Sequence, residues 1–543
     1  MLGTSINLIE DTLQAHGAAK DGIRLFEWES ADLLVYATLA SARRERGGDL
    51  QALCGIYEWQ QQPLAFLIDG QLIESQEQLL RVRRLLAMRG GAPYLALIRQ
   101  GGLTVYNVAL DESTVEASRV KLPKGMQPSQ LVPYLSNMRP GGRTRHRWIE
   151  QVVLSLLDDS ITGLISNCFV PSTEAISLVG RALFVRFLAD RGLLSEKDAR
   201  RITGRPIGQL FDDARSAITI NKWLDETFNG DLLPLPNQIF ENLSPGAFVL
   251  LGNILRRAPG GQLGLEWHED WAHLDFAYIP VGVLSQAYEH FLRSHDAGTQ
   301  EKEGGYYTPA PIAQLMLRGA MHALAEEGKN RARVLDPAAG GGVFLISAFR
   351  QLVGARWASD GVRPGTSVLR EILYKQLVGF DINEEALRFA ALGLYLISIE
   401  LDPNPRPVQK LRFNHNLRNR VLFKVGQHGS AGSLGFNVGP EHDGCYDLVV
   451  GNPPWSSSTK LREWPDIVAR VKEVAETRLK YVPFKPQLPN EVMDLPFVWQ
   501  AMRWCRQGGQ IAFVLHARLL FQQGDNRSEE HTSELQSRVD ISY

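Results

Sequence analysis

The residues best equipped for chemistry stand at Asn452-Pro453-Pro454-Trp455, directly after the apolar run from Tyr446 to Gly451. An asparagine amide carries one acceptor and one amino group, and proline rings restrict the backbone so that the Pro453 carbonyl is held beside that amide. Two acceptors aimed at one point suit the two hydrogens of a planar amine. Trp455 adds a flat face on which an aromatic ring can stack. By itself the run also reads as an Asn-capped proline turn without chemistry.

Three further segments suit a bound ligand. Val334-Leu-Asp-Pro-Ala-Ala-Gly-Gly-Gly-Val-Phe-Leu345 is an apolar strand pattern running through Asp336, Pro337 and Ala338 into Gly340, Gly341 and Gly342, then into a helix pattern. Glycines let the backbone pass close to a ligand, and Asp336 leaves a carboxylate at the strand's carboxyl end. Asp381, followed by Ile382, ends the next strand pattern, Leu377 to Phe380, where a carboxylate can accept both hydrogens of a ribose diol. Its plainer reading is a helix N-cap. Upstream, Gly304-Gly-Tyr-Tyr-Thr-Pro309, with Tyr307, Thr308 and Pro309, precedes a helix pattern from Ala310 to Leu324 whose N-terminus suits an anion.

These segments need elements to hold them. From residue 300 to 526 short apolar strands alternate with helices: Val334 to Leu335 then Phe344 to Leu352, Leu377 to Phe380 then Glu384 to Ile399, Leu448 to Val450, Pro496 to Cys505, and Gln510 to Leu515. Such alternation predicts an α/β fold, parallel strands with crossover helices in a doubly wound sheet. Residues 146–295 predict a helical domain, clearest from Glu174 to Leu194, where Ile176, Val179, Leu183, Phe187 and Leu188 recur at helical spacing, with a second helix from Val281 to Leu292. Residues 1–138 predict a small α+β domain of unassigned role, with an apolar run at Leu64 to Ile68, a helix around Leu79 to Met88 and strands at Tyr94 to Ile98 and Leu103 to Val108. Asp69 at a strand end resembles part of a restriction-nuclease core. The following strand, Tyr94 to Arg99, brings no carboxylate, so the expectation is no metal site there.

Composition narrows the classes. A chain of 543 residues with 44% hydrophobic residues supports two or three cores. With 58 basic and 60 acidic residues the net charge is -2, so no global field attracts nucleic acid and any phosphate contact must be local. One local candidate is Arg139, Arg143, Arg145, His146 and Arg147 around Pro140, Gly141 and Gly142, which reads equally as a solvated linker. Cys54, Cys168, Cys445 and Cys505 lack the paired spacing of a zinc site or disulfide framework. Without an export signal or an apolar run near membrane length, the expectation is a soluble, cytoplasmic protein.

Taken in order, the Tyr-Tyr-Thr-Pro segment, Asp336 with its glycines, Asp381, and Asn452 to Trp455 resemble the N6-adenine DNA methyltransferases, especially the type I modification subunits and fused restriction-modification enzymes. The resemblance covers residues 275 to 526, and the helical segment before them is similar to the family's helical N-terminal domain. It implies a Rossmann-like methyltransferase sheet, S-adenosyl-L-methionine as cofactor, no metal, double-stranded DNA as partner, and room for a specificity or restriction subunit. It further implies that Asn452, Pro453, Pro454 and Trp455 receive a flipped adenine, and that Tyr307, Thr308, Pro309, Asp336, Pro337, Ala338, Gly340, Gly342, Asp381 and Ile382 hold the cofactor. Asp494-Leu-Pro-Phe and Gly508 to Leu515 fit the family's next helix and strand. Ala339 and Gly341 stand where the family often has Cys and Ser, and His516 where it often has proline. The stretch between Asp381 and Asn452 matches no family motif, so no residue is assigned to the cofactor's adenine.

Residues 527–543 resemble the translation of a sequencing-library adapter, and the expectation is that the native frame continues beyond Asn526. Two other functions remain open at this level. The same turn can serve a methyltransferase acting on RNA bases or protein glutamine, and a non-catalytic subunit of a defence complex could keep the cofactor and DNA sites.

Overall fold

The computed structural model describes residues 2–27, 30–44, 47–100, 102–111, 114–138, 148–258, 267–283, 308–405, 411–427, 430–455, 461–478, 488 and 492–516. The basic cluster at 139–147, Tyr307 with the glycines before it, the helix expected beyond Val283 and the tail at 527–543 lie outside them. Two compact units emerge, Met1–Asn221 with Leu235–Val283, and Lys222–Pro234 with Leu284–Tyr543.

The first unit carries a five-stranded sheet ordered β1 (Ile23–Leu25), β2 (Leu53–Trp59), β3 (Gln62–Asp69), β4 (Tyr94–Arg99) and β5 (Gly102–Asn107). Only β3 and β4 are parallel, joined by helix α1 (Gln76–Arg89), while every other pairing is antiparallel. Ser75 starts α1 by accepting the Gln78 N–H, and Gly90 ends it. The Asp69 carboxylate accepts from Gln71 N at 2.9 Å, which shapes the turn after β3. Among the described residues no group of three or more His, Cys, Asp or Glu side chains is placed to hold a metal.

The same unit contains helices α2 (Ile149–Cys168), α3 (Ser172–Asp190) and α4 (Pro245–Leu255). The five residues at helical spacing on α3 are all buried, but so is nearly everything from Ala175 to Leu188, including Arg181 and Arg186. Arg186 is tolerated because each guanidinium nitrogen has a partner. It pairs with Asp190 at 2.8 Å and donates to the carbonyls of Ile254, Arg256 and Leu274. Burial of a paired arginine is what turns an amphipathic pattern into an enclosed helix.

In the second unit five parallel strands form a sheet ordered β10 (Cys505–Phe513), β9 (Tyr446–Gly451), β6 (Val334–Asp336), β7 (Leu377–Asp381) and β8 (Leu422–Lys424). Helices α5 (Ala310–Ala323), α6 (Val343–Asp360), α7 (Thr366–Lys375), α8 (Glu384–Glu400), α9 (Trp464–Arg478) and α10 (Asp494–Trp504) accompany it. The doubly wound α/β sheet anticipated from the alternation is therefore present. β8, α7 and α9 were not foreseen, and the last strand begins at Cys505, five residues before the expected start. From β6 the chain steps outward through β7 to β8, then crosses to β9 and β10 on the other side, so the order reverses between β6 and β9.

Apolar packing holds these layers. Leu335, Val378, Phe380, Tyr446 and Val449 from the strands meet Val471, Val474, Phe497, Ala501 and Trp504 from α9 and α10. His442 lies stacked on Tyr446, accepts or donates a 2.6 Å bond at its hydroxyl, and meets the Phe380 ring edge-on. The crossing segment Lys222–Pro234 is tied to the rest of its unit by buried Asp231. That carboxylate receives the Tyr395 hydroxyl, the N–H of Leu417 at 2.6 Å and the N–H of Arg418 at 3.4 Å. Burial pushes its pKa upward, and these donors work against that shift. No described helix is long and apolar enough to cross a membrane.

Candidate active site

Ligands of open parallel sheets sit outside the carboxyl ends of the strands where the order reverses. Here that point lies between β6 and β9, flanked by the loops that begin at Asp336 and at Gly451. Parallel pairing brings the ends of β7 and β10 to the same edge, with Asp336 opposite Gly379 and Phe513 opposite Gly451. Segments more than a hundred residues apart in the chain are thereby gathered.

Asp336 is fully buried, and one of its oxygens accepts from Ala338 N at 3.1 Å. Gly451 has to be glycine for this approach, since a side-chain carbon there would lie 2.7 Å from that same oxygen. The loop then passes through Gly340 and Gly342, both in the left-handed region with φ of 50° and 85°. Gly342 meets α8 so closely that an added carbon would lie 2.8 Å from the Ala390 Cβ. Its small size thus serves the contact between α6 and α8.

Asp381 spans two segments. One carboxylate oxygen accepts from Gly340 N at 2.7 Å and the other from Asn383 N at 2.8 Å. Asn383 is the N-cap of α8, accepting from Glu385 and Ala386 N–H groups, so the capping reading of Asp381 passes to its neighbour two residues on. Pro337 is buried, and its carbonyl accepts from Ser433 Oγ at 2.7 Å. A carbon on Gly432 would stand 3.1 Å from the Ile382 side chain. The stretch after β8 that sequence left without a role, Ala431 to Leu434, is therefore set against both Pro337 and Ile382. Its only signal in the sequence is a run of small residues, which periodicity cannot place.

Asn452 follows the last residue of β9, and its Nδ2 donates to Thr308 Oγ1 at 3.0 Å. Thr308 is buried, just ahead of Pro309, which stands exposed as the N-cap of α5. Pro453 is buried, while Pro454 and Trp455 are half-buried. The Trp455 indole N–H donates to the Val514 carbonyl at 3.2 Å, and the His516 ring lies perpendicular to it at 5.6 Å. The segment that follows β10 thus holds the tryptophan from the side, with Val514 N bonded to the Gly451 carbonyl at 3.0 Å. His516 packs on Trp455 where a proline could offer no such ring.

Residues 281–531 match the family model described as N-6 DNA methylase. This part of the chain is similar to the N-6 DNA methylases. Two relatives from Methanocaldococcus jannaschii match part of the chain. The type I restriction enzyme MjaVII methylase subunit is 25% identical over 198 residues, 36% of this chain and 26% of its own length. The MjaVIII methylase subunit is 27% identical over 186 residues, 34% of this chain and 25% of its own. The match thus spans about a quarter of the length of these curated relatives. Among solved structures, the type IIG restriction endonuclease BpuSI aligns with 93% of this chain and 53% of its own at 15% identity and a TM-score of 0.37. A type I methyltransferase subunit from Streptococcus thermophilus aligns with 71% and 78% at 16% identity and a TM-score of 0.36.

Proposed function

We propose that this chain carries the catalytic domain of a site-specific DNA adenine N6-methyltransferase of a restriction-modification system, using S-adenosyl-L-methionine and acting on a flipped adenine. The observation that carries the reading is Asn452-Pro453-Pro454-Trp455 at the carboxyl end of β9, beside the strand-order reversal, within a segment similar to the N-6 DNA methylases. The type I restriction enzyme methylase subunits among the relatives support a modification role; a cytoplasmic setting, double-stranded DNA and a specificity or restriction subunit as partners complete the proposal.

The residues at the sheet edge fit this cofactor. Asp381 ends β7, where an acid suits a ribose diol, and the backbone turns through Gly340 without side chains to obstruct a ligand. Asp336, Pro337, Ala338 and Gly342 shape that loop, Ile382 offers an apolar side chain, and Tyr307, Thr308 and Pro309 lead into the helix that would receive the carboxylate end. When bound, the cofactor supplies an electrophilic methyl group on a sulfonium. Asn452 and the Pro453 carbonyl accept the two hydrogens of the adenine amine, turning its lone pair outward, and Pro454 stiffens the turn. Trp455 gives the extruded base a stacking surface that its bond to Val514, just after β10, holds in place. Catalysis then rests on positioning and polarising.

Asn452→Ala is expected to abolish tritium transfer from labelled cofactor to unmethylated DNA while cofactor binding stays within about threefold by calorimetry. Full-rate methylation by that variant would end the assignment. The DNA methylase family match is what favours DNA over RNA or protein glutamine as substrate.

A further inference from the structure

We propose that Thr308 is a positioning residue for methyl transfer, its hydroxyl holding the Asn452 amide in the orientation that receives the substrate amine. The inference rests on the reading of Asn452 as the acceptor for that amine. Three observations carry it. Asn452 Nδ2 donates to Thr308 Oγ1 at 3.0 Å across 144 residues of sequence. Thr308 is only 5% exposed, so water does not readily replace its hydroxyl. The threonine also stands on a fixed frame, because α5 starts two residues later and is anchored through buried Ala313, Leu317, Ala320 and Met321.

The terminal amide of asparagine turns easily about its last bond, and its two ends are nearly equal in size but opposite in hydrogen-bonding sense. With Nδ2 engaged by Thr308, the carbonyl oxygen is the end turned away from it. An exocyclic amine needs an acceptor at that end. If the hydroxyl is removed, the amide loses this bond and the constraint it places on its orientation, so the acceptor no longer faces the amine as often. Sequence alone suggested a different task for Thr308, binding the cofactor's carboxylate, and the two roles part experimentally.

Thr308→Val keeps the shape and deletes the hydroxyl, while Thr308→Ser keeps the hydroxyl and deletes the methyl. Both would be measured beside Asn452→Ala and wild type, in cofactor calorimetry and in tritium transfer to bulk unmethylated DNA at saturating cofactor, after melting curves establish that each is folded. The expected result for Thr308→Val is a cofactor Kd within about threefold of wild type and a kcat lower by about 10- to 100-fold. Thr308→Ser should restore kcat to within about threefold. A Kd raised more than tenfold in Thr308→Val would make the residue a cofactor ligand and overturn the proposal, whether or not the chain turns over. Unchanged kcat in Thr308→Val, with Asn452→Ala inactive, would overturn it too. Full activity in Asn452→Ala would instead remove the underlying reading.

Discussion

Gly342→Ala tests what the third glycine of the loop is for. Gly342 precedes α6 with φ of 85°, and an added carbon would stand 2.8 Å from Ala390 Cβ and 3.1 Å from Ala390 Cα. Ala390 is buried on α8 and the nearest atoms include backbone, so no flexible side chain can swing aside. Two costs add: roughly 1–2 kcal/mol for a left-handed non-glycine residue and about 1–3 kcal/mol for overpacking. The sum, about 2–5 kcal/mol, corresponds to a fall of roughly 4–20 °C in the domain's melting temperature. Gly361→Ala is the matched control at the other end of α6, with φ of 67° and nothing within 4 Å of the added carbon. It should lose only the conformational part, about 1–2 kcal/mol. Calorimetric melts of the two variants in the same buffer isolate the packing cost as their difference. Equal shifts would refute the argument that Gly342 is small because two helices meet there.

Asp381→Ala should weaken cofactor binding at least about tenfold by calorimetry, since it loses an acceptor at the end of β7 and releases Gly340 N; an unchanged Kd would remove Asp381 from the site. Asp231→Ala strips the acceptor from the Tyr395 hydroxyl and the Leu417 and Arg418 amides, at a cost of about 3–5 kcal/mol, so hydrogen exchange at Leu417 should accelerate together with a lower melting temperature. Protection as strong as wild type would show that the segment is held by other contacts. His442 predicts a pH effect. Burial holds its imidazole below the ordinary 6.5, Glu441 opposes that shift, and Arg333 adds to it. The unfolded chain therefore takes up the proton first. Stability from the neutral ring is complete above about pH 6.5 and is lost as pH falls through the depressed folded value. His442→Gln should flatten that acid-side decline in melting temperature, and an identical pH profile would exclude His442 as its source.

Much of the second unit was legible because its strands are buried on both faces and end in residues with special backbone needs. Val334 to Asp336, Leu377 to Asp381 and Tyr446 to Gly451 read as short apolar runs closed by acid, glycine or asparagine, and each is a strand in the sheet. β8 escaped because three residues, of which only Leu422 is fully buried, leave no periodic trace. α9 escaped because the apolar positions Ile467, Val471 and Val474 are diluted by charged neighbours. The buried side of α3 shows the limit in the other unit, since a helical stripe was readable but Arg186 inside the core was not.

Sequence by itself determined the chemistry-bearing types and their order: the acid before the glycines, the second acid, and the amide locked between a strand and two prolines. Those features follow from local rules of backbone freedom and hydrogen-bonding capacity, which act over a few residues. Tertiary structure alone decided which of them touch. It joined Asp381 to Gly340 as well as to Asn383 at the helix start, set Ser433 against Pro337, seated His516 on Trp455 and joined Thr308 to Asn452. The physical reason is that parallel strands return to one edge only after long crossovers, so contacts made at that edge depend on strand order and register, and neither is written in any single stretch of the chain.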